Sequence, residues 1–334
     1  MKLKITEVLD LTWRFYRRYL YSWEINSGFI VAFIAFVLRA IASGSLMPLA
    51  LTSLVNSLET SASGGSLSMR EGGIMNAILM ILATTIIYAA TEWLFRPFWN
   101  TVTKAIVNIK NGVIMELNGS RNPVNVNDMV GRLASDVDFV MWNIGGMYTT
   151  FTPNILTTAV SLATIFQLNP IMGAMAIAAT PFSLLIMEPY IKGVEEARQV
   201  ERGSYSEVIH LIDEYFKGNA EPGQIRDALN KWYKGMSKQI FFDRTYWSSS
   251  LAYSYIVPLL LTIFGIHEVE KGKLLVGNLV GIVYASLNVY SPLINALWGL
   301  CVLGQNIVPM RRIMQLSSNK ENNEEAAATM ISSP

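Results

Sequence analysis

The stretch that decides the fold covers residues 268–312 and reads EVEKGKLLVGNLVGIVYASLNVYSPLINALWGLCVLGQNIVPMRR. It opens with a short polar loop and then continues without a charged residue from Leu274 to Met310, where Arg311 and Arg312 close it. An apolar stretch of this length is typical of a helix that crosses a lipid bilayer. We therefore predict that residues 268–312 contain a membrane-spanning helix.

One face of this predicted helix carries polar side chains at steps of three and four residues. They are Tyr284, Asn288, Ser291, Asn295, Trp298 and Gln305. We call the first five the polar stripe; it is expected to face protein or water, because unpaired polar groups are costly in hydrocarbon. Two interpretations stay open: the stripe lines a wet cavity that receives a substrate, or it clamps a neighbouring helix by hydrogen bonds. The size of Tyr and Trp favours the cavity, since close helix contacts are made mainly by smaller residues.

The composition of the whole chain supports a membrane protein. Of the 334 residues, 51% are hydrophobic and only 15% are charged, whereas soluble domains are usually about a quarter charged. A net charge of +1 without a basic tract gives no indication of nucleic-acid binding. The single cysteine, Cys301, excludes a disulfide framework, and His210 and His267 fall on opposite sides of the predicted membrane, so we expect no metal site.

Apolar periodicity divides the chain into three parts. Residues 1–24 predict a basic amphipathic helix in the inner membrane surface, with the first turn of the next helix as the alternative. Residues 25–316 predict six spans, and the polar residues 317–334 predict a disordered tail. The spans are expected at 28–58, 74–98, 129–166, 171–187, 248–266 and within 268–312. The fold class is thus an all-α membrane protein.

Two of the connections are too long for simple loops. The helical pattern of the second span continues to Leu117, which gives about 66 Å of helix against a hydrocarbon core of about 30 Å. Similar extensions follow the fourth span to Phe216 and precede the fifth from Gln224. Most of the 26 Lys and Arg residues lie beside these extensions and both termini. That distribution predicts a plasma-membrane protein with cytoplasmic termini.

Two motifs carry a resemblance to a known family. The pattern Gly272-x-Leu274-x-x-Gly277-x-Leu279-Val280, followed by Pro292-Leu293 and Arg311-Arg312-Ile313, resembles the last membrane helix of exporter-type ABC transporters. Arg132-Leu133 and Asp136-Val137 match the segment that follows the first cytoplasmic loop of that family. Leu275, Asn127, Met129 and Gly131 depart from the family pattern, which usually has Thr, Gly, Leu and Ser there.

The resemblance implies a fold, a function and partners. It implies the transmembrane domain of an ABC exporter, arranged as a domain-swapped dimer with a second copy or a paralogue, and surrounded by membrane lipids. Two cytoplasmic turns, at about 119–128 and 214–223, would be coupling loops that dock into ATPase subunits; otherwise they only connect helices. The implied coupling residues are Asn122, Pro123, Asn125, Asp128, Lys217, Gly218, Asn219 and Glu221.

The chain has no phosphate-binding loop of the form Gly-x4-Gly-Lys-[Ser/Thr]. We therefore expect ATP and Mg²⁺ to be held by separate nucleotide-binding subunits, with no cofactor on this chain. The predicted function is a permease subunit that exports an amphipathic peptide, lipid or drug-like molecule. A non-transporting accessory or immunity-like protein of the same fold is the alternative, and a membrane enzyme is a formal competitor.

Arg39 is an unusual residue because it lies inside the first predicted span. It stands 14 residues beyond Ile25, about 21 Å along a helix. A charge at that depth is expected to face a cavity or a partner. Glu92 is the nearest carboxylate in a span, but it is expected to lie closer to the inner surface. A substrate contact and a buried structural pair therefore both remain open for Arg39.

Overall fold

The computed structural model describes residues 5–62, 67–118, 136–304, 306, 309–311 and 313–314. Within these residues the chain is helical and contains no strand. The helices are α1 (Ile5–Phe15), α2 (Trp23–Ile41), α3 (Met47–Ala62), α4 (Leu67–Asn118), α5 (Val137–Leu168), α6 (Pro170–Ala179), α7 (Phe182–Phe216), α8 (Pro222–Glu270) and α9 (Val276–Gly304). Two π-helical segments, Tyr16–Leu20 and Ala42–Leu46, follow α1 and join α2 to α3.

Six segments of the described chain are long and apolar enough to cross a membrane. They are Glu24–Thr60, Glu71–Met115, Val137–Leu168, Pro170–Met187, Pro222–Glu270 and Val276–Gly299. Large apolar side chains such as Ile78, Leu82 and Ile86 stand exposed on α4, as expected for a lipid-facing surface. The predicted all-α membrane protein with six spans is confirmed.

Two helices extend far beyond the thickness of a bilayer. Helix α4 has 52 residues and α8 has 49, which correspond to about 78 and 74 Å at 1.5 Å per residue. A hydrocarbon core of about 30 Å holds less than half of either helix. The predicted extensions outside the membrane are therefore present, and α7 and α8 form one of them as an antiparallel hairpin. The first cytoplasmic turn at 119–128 lies outside the described residues, as do 129–135 of the third predicted span and the tail 317–334.

The fourth predicted helix is not continuous, which corrects the prediction. We expected one helix from residue 171 to Phe216, but α6 ends at Ala179 and α7 begins at Phe182. Pro181 explains the break, because a proline has no N–H to donate and its ring clashes with the carbonyl four residues earlier in a continuous helix. The Thr180 N–H instead donates to the Ile177 carbonyl at 3.1 Å, which closes α6 with a tighter turn.

A turn lies immediately before α6, between the predicted third span, 129–166, and the predicted fourth span, which begins at 171. Asn169 has extended backbone, and its side-chain oxygen accepts a hydrogen bond from the Met172 N–H at 3.0 Å. Pro170 then occupies the first helical position, where its missing N–H costs nothing. This cap reverses the chain sharply between α5 and α6, so the third and fourth spans are antiparallel neighbours.

The interior of the domain consists of three apolar clusters. The first joins α2, α4 and α5 around Phe36 and Phe98, and it also buries Phe15 and Leu20 from the N-terminal segment. The second joins α5, α6, α8 and α9 around Tyr290. The third joins α7, α8 and α9. Helix α9 thus reaches both the body made by α2 to α5 and the α7–α8 hairpin. The placement of the N-terminal helix in the membrane surface stays a prediction.

Candidate functional site

The polar stripe lies on a partly open side of α9. Tyr284, Asn288, Asn295 and Trp298 are half-buried, and Ser291 is exposed. The Asn288 side-chain amide donates to the Ser43 carbonyl at 3.4 Å and to the Tyr284 carbonyl at 3.3 Å. The upper part of the stripe therefore contacts the π-helical segment of the first span. Gln305 lies outside the described residues.

The lower end of the stripe belongs to a group of rings that the sequence analysis did not identify. We call Tyr190 of α7, Tyr246 and Trp247 of α8 and Trp298 of α9 the aromatic cluster. Ring centroids lie 4.7 Å apart for Tyr190 and Tyr246, and 5.4 Å apart for Tyr190 and Trp298. Trp247 and Trp298 are also 5.4 Å apart. The four rings come from three helices up to 108 residues apart along the chain, so sequence periodicity contains no signal that would join them.

The hydroxyl groups of the aromatic cluster are both used in hydrogen bonds. Tyr190 donates to the Asp243 carboxylate at 2.8 Å, and Tyr246 donates to the Ile294 carbonyl at 3.2 Å. Both tyrosines are buried, whereas Asp243, Trp247 and Trp298 are half-buried. Asp243 thus presents a carboxylate at the edge of a surface made of aromatic rings.

Arg39 has a partner, which corrects the expectation that Glu92 lies at the wrong depth. The Arg39 guanidinium is 2.7 Å from the Glu92 carboxylate, and it lies over the rings of Tyr88 and Phe95 at 5.1 and 5.2 Å. The Arg39 side chain is 27% exposed and the Glu92 side chain 63%. The guanidinium is therefore enclosed by rings on one side and by a carboxylate on the other.

The antiparallel pairing of α2 and α4 explains this match. Glu24, at the inner end of α2, forms an ion pair of 2.6 Å with Lys104, which lies within α4. From that pair Arg39 lies about 22 Å up α2, and Glu92 lies about 18 Å up α4, at 1.5 Å per residue. The depth expected for Glu92 was too shallow because the second span was measured from Phe98, whereas the inner end of α2 is level with Lys104. The Arg39–Glu92 pair joins the two membrane-length segments Glu24–Thr60 and Glu71–Met115.

The first and last spans also contact each other at their outer ends, and the sequence analysis did not predict this contact. The Gly277 N–H donates to the Asn56 side-chain oxygen at 3.0 Å, and the Asn56 amide donates to the Asn278 side chain at 3.2 Å. A Cβ atom at position 277 would lie 2.5 Å from the Thr52 carbonyl oxygen. Only glycine permits this approach of α3 to α9, which gives the Gly277 of the sequence motif a structural reason.

The turn at the tip of the α7–α8 hairpin is exposed and well ordered by its own hydrogen bonds. The Asn219 side-chain amide donates to Glu214 at 3.0 Å, and the Lys217 ammonium contacts Asp213 and Glu214. Gly218 has φ of +82°, a left-handed conformation that favours glycine. Glu221 then caps the start of α8, where its N–H donates to the Gln224 side-chain oxygen at 3.1 Å in a capping box.

These contacts shift two pKa values at the tip. Hydrogen bonds from Asn219 and Lys217 lower the pKa of the Glu214 carboxyl, because they stabilise its charged form. Hydrogen bonds to Asp213 and Glu214 raise the pKa of Lys217 for the same reason. The turn therefore presents a fixed arrangement of charge. The other predicted coupling residues, Asn122, Pro123, Asn125 and Asp128, lie outside the described residues.

Among the described residues, no group of three or more His, Cys, Asp or Glu side chains could hold a metal ion. The model of the family described as the ABC transporter transmembrane region matches residues 28–292. The chain belongs to this family. The match to the ABC transporter transmembrane region begins in α2 and ends at residue 292 in α9, so it covers the second to fifth spans, most of the first and sixth, and both sides of the Arg39–Glu92 pair. No curated protein matches the chain significantly.

Membership in this family makes the chain a membrane component of an ABC transporter. The six spans make it a multi-pass membrane protein. Of the candidate residues, the structure brings Trp298 into the aromatic cluster, brings Asn288 to the first span, and pairs Arg39 with Glu92. Ser43 links Arg39 to the stripe, because its hydroxyl donates to the Arg39 carbonyl at 2.9 Å and its carbonyl accepts from Asn288. The Arg39 guanidinium itself contacts Glu92.

Proposed function

We propose that the chain is the permease subunit of an ABC transporter that exports an amphipathic substrate with energy from ATP hydrolysed on separate subunits. The ATPase subunits would hold ATP and Mg²⁺, and the chain would act as a dimer with a second copy or a paralogue. The protein would lie in the plasma membrane with both termini in the cytoplasm, as the distribution of Lys and Arg favours.

The observation that carries this proposal is the α7–α8 hairpin with its ordered tip. The membrane-spanning part of the fourth span ends at Met187, and Phe216 lies 29 residues further, about 44 Å along the helix. Ion pairs along the hairpin, Lys231 with Glu207 and Lys238 with Glu196, hold its two helices together outside the membrane. A long, braced projection that ends in a fixed turn is suited to contact a separate protein.

The proposed substrate class is supported by the polar stripe on α9. Tyr284, Asn288, Ser291 and Asn295 offer polar groups on a helix whose other residues are mainly apolar. Such a mixed surface suits a molecule with an apolar body and a polar end. The predicted domain swap is supported by large apolar residues that stand exposed on the hairpin outside the membrane, among them Tyr205, Ile209 and Ile240.

ATP hydrolysis tests the proposal directly. The purified chain is expected to show no ATPase activity, and activity is expected when the ATPase subunit that co-purifies from its native membrane is added. Replacing residues 122–125 or 218–221 with Gly-Ser should abolish that association. At the exposed positions Gly218, Asn219 and Glu221 the loss of stability should stay within about 0.5 kcal/mol each. A matched replacement of the outer turn at 271–273 should leave association intact. Robust hydrolysis by the pure chain, or association that survives both inner replacements, contradicts the proposal.

A further inference from the structure

The aromatic cluster has a floor and a rim that differ in exposure. Tyr190 and Tyr246 form the floor, with only 5% and 3% of their surfaces exposed, and their hydroxyls are engaged. Trp247 and Trp298 form the rim and are half-buried. Indole rings have the most electron-rich faces among the side chains, so the rim offers the surface that attracts a cation most strongly.

Asp243 differs from Glu196, Glu201 and Glu207, the acidic residues that contact the opposite helix of the hairpin. Glu196 and Glu207 each pair with a lysine, and Glu201 accepts a hydrogen bond from Trp232 at 3.1 Å. Asp243 accepts one hydrogen bond, from Tyr190, and forms no ion pair with any residue that the structure describes. A half-buried carboxylate that accepts one hydrogen bond, from Tyr190 of the aromatic cluster, keeps further acceptor capacity for a positively charged group.

The aromatic cluster lies at the depth expected for the inner boundary of the bilayer, measured from the outer ends of the fourth and sixth spans. Tyr190 lies 20 residues below Pro170, where the fourth span begins, which is about 30 Å of helix and equals the hydrocarbon thickness. Trp298 lies 22 residues below Val276, about 33 Å by the same measure. An amphipathic molecule in the inner leaflet has its polar end at this level and its apolar part above it.

From this geometry we propose that the aromatic cluster and Asp243 bind an amphipathic organic cation, an amine or quaternary ammonium group with an apolar body. Asp243 supplies the counter-charge, Tyr190 fixes the orientation of its carboxylate, and Trp247 and Trp298 contact the cation through their ring faces. The inference rests on the proposed export function and names the substrate class for it. Packing accounts for the four rings, and the buried Tyr190 hydroxyl accounts for one acceptor of the Asp243 carboxylate. The negative charge of Asp243 is the property that the cation would match.

Two probes of equal shape and opposite charge test this site without any mutation. Tetraphenylphosphonium and tetraphenylborate carry the same four phenyl groups, so apolar contacts are matched. We measure equilibrium binding of each to the full chain in lipid nanodiscs, with and without its ATPase subunits. The cation is expected to bind about tenfold more tightly than the anion, the ratio that roughly 1.4 kcal/mol of cation–π and charge attraction produces. Equal or tighter binding of tetraphenylborate overturns the proposal.

Variants then assign the binding to these residues. Asp243→Asn keeps an acceptor for Tyr190 and removes the charge, so it should weaken tetraphenylphosphonium binding about tenfold. Trp298→Leu should weaken it to a similar degree. The matched controls are Asp227→Asn, at an exposed position of the same helix, and Trp93→Leu, on the exposed surface of α4; both should bind as the unmodified protein does. Unchanged binding by Asp243→Asn refutes the site.

The outcomes separate this site from the transport assignment. If ATPase coupling is present but binding shows no preference for the cation, the site is refuted and the permease function stands. If cation binding depends on Asp243 but no ATPase couples to the chain, the site stands and the export function is refuted. If Asp243→Asn does not fold, the comparison of the two probes on the unmodified protein still decides.

Discussion

Neutralising Glu92 should destabilise the protein through the charge that it leaves on Arg39. In Glu92→Gln the guanidinium keeps its two rings at 5.1 and 5.2 Å but loses the carboxylate at 2.7 Å. An unpaired arginine at the middle of a membrane helix costs about 3 kcal/mol. Because Glu92 is 63% exposed, solvent screening reduces what the pair contributes. We expect a loss of about 2 kcal/mol.

A double-mutant cycle isolates the free energy of the interaction between Arg39 and Glu92. Arg39→Met leaves Glu92 as the unpaired charge and removes the contacts with Tyr88 and Phe95, so it should also destabilise. The double variant contains no charge at this depth and should recover most of the loss, with a coupling of about 1–2 kcal/mol. Thermal unfolding in lipid nanodiscs, followed by tryptophan fluorescence, measures all three variants. Arg96→Met is the control, since Arg96 is an exposed charge on the same helix.

Additive losses in the double variant would refute the structural pair. Single variants as stable as the unmodified protein would also refute it, because they would show that both charges stand in water. That second result would favour a cavity-facing role for Arg39, the other interpretation of its position in the span.

Three further predictions concern the packing of α9, the polar stripe and the tip of the hairpin. Gly277→Ala should lower the free energy of unfolding by about 1–3 kcal/mol, because the added methyl group overpacks against α3. Gly146→Ala has nothing within 4 Å of its Cβ, so it should leave the free energy of thermal unfolding unchanged or raise it by up to about 1 kcal/mol. Asn288→Cys and Asn295→Cys, in a background without the natural cysteine, should react with water-soluble thiol reagents in an ATP-dependent way; protection of both in every state would mean that the stripe is packing. The pKa of Glu214 is lowered from 4.5 in the folded protein, so the charged carboxylate stabilises the tip above pH 4.5 and loses this effect as the pH falls through its folded pKa. Hydrogen exchange at the tip should therefore accelerate in acid, and Glu214→Gln should remove that acid dependence.

The spans could be predicted from the sequence because each depends on a local property. A charge-free apolar run identifies a membrane helix by itself, and Asn169 followed by Pro170 identifies a turn by its own chemistry. The break at Pro181 was also visible in principle, but continuous apolar residues on both sides outweighed it. Local patterns of this kind account for the element order and for most helix ends.

The contacts of the candidate site could not be predicted, because they depend on the relative depth of helices that are distant in sequence. Arg39 and Glu92 are 53 residues apart, and the pairing follows only when the inner end of α2 is placed level with Lys104 of α4. Tyr190 and Trp298 meet only because α9 contacts the hairpin at one particular height. The sequence also contains no signal for the π-helical segment Ala42–Leu46, since its composition is compatible with an ordinary α-helix.

The α7–α8 hairpin has the proportions of a lever whose fulcrum is the aromatic cluster. Tyr246 lies 24 residues from Pro222, so the tip stands about 36 Å from the point where the hairpin meets α9. A tilt of about 10° at the rings would move the tip by about 6 Å, more than one helical turn, while the rings themselves shift by a fraction of an ångström. Small changes in the stacking of Trp247 and Trp298 would therefore produce a larger displacement at the tip of the hairpin. A force applied at the tip would act on the rings with a mechanical advantage.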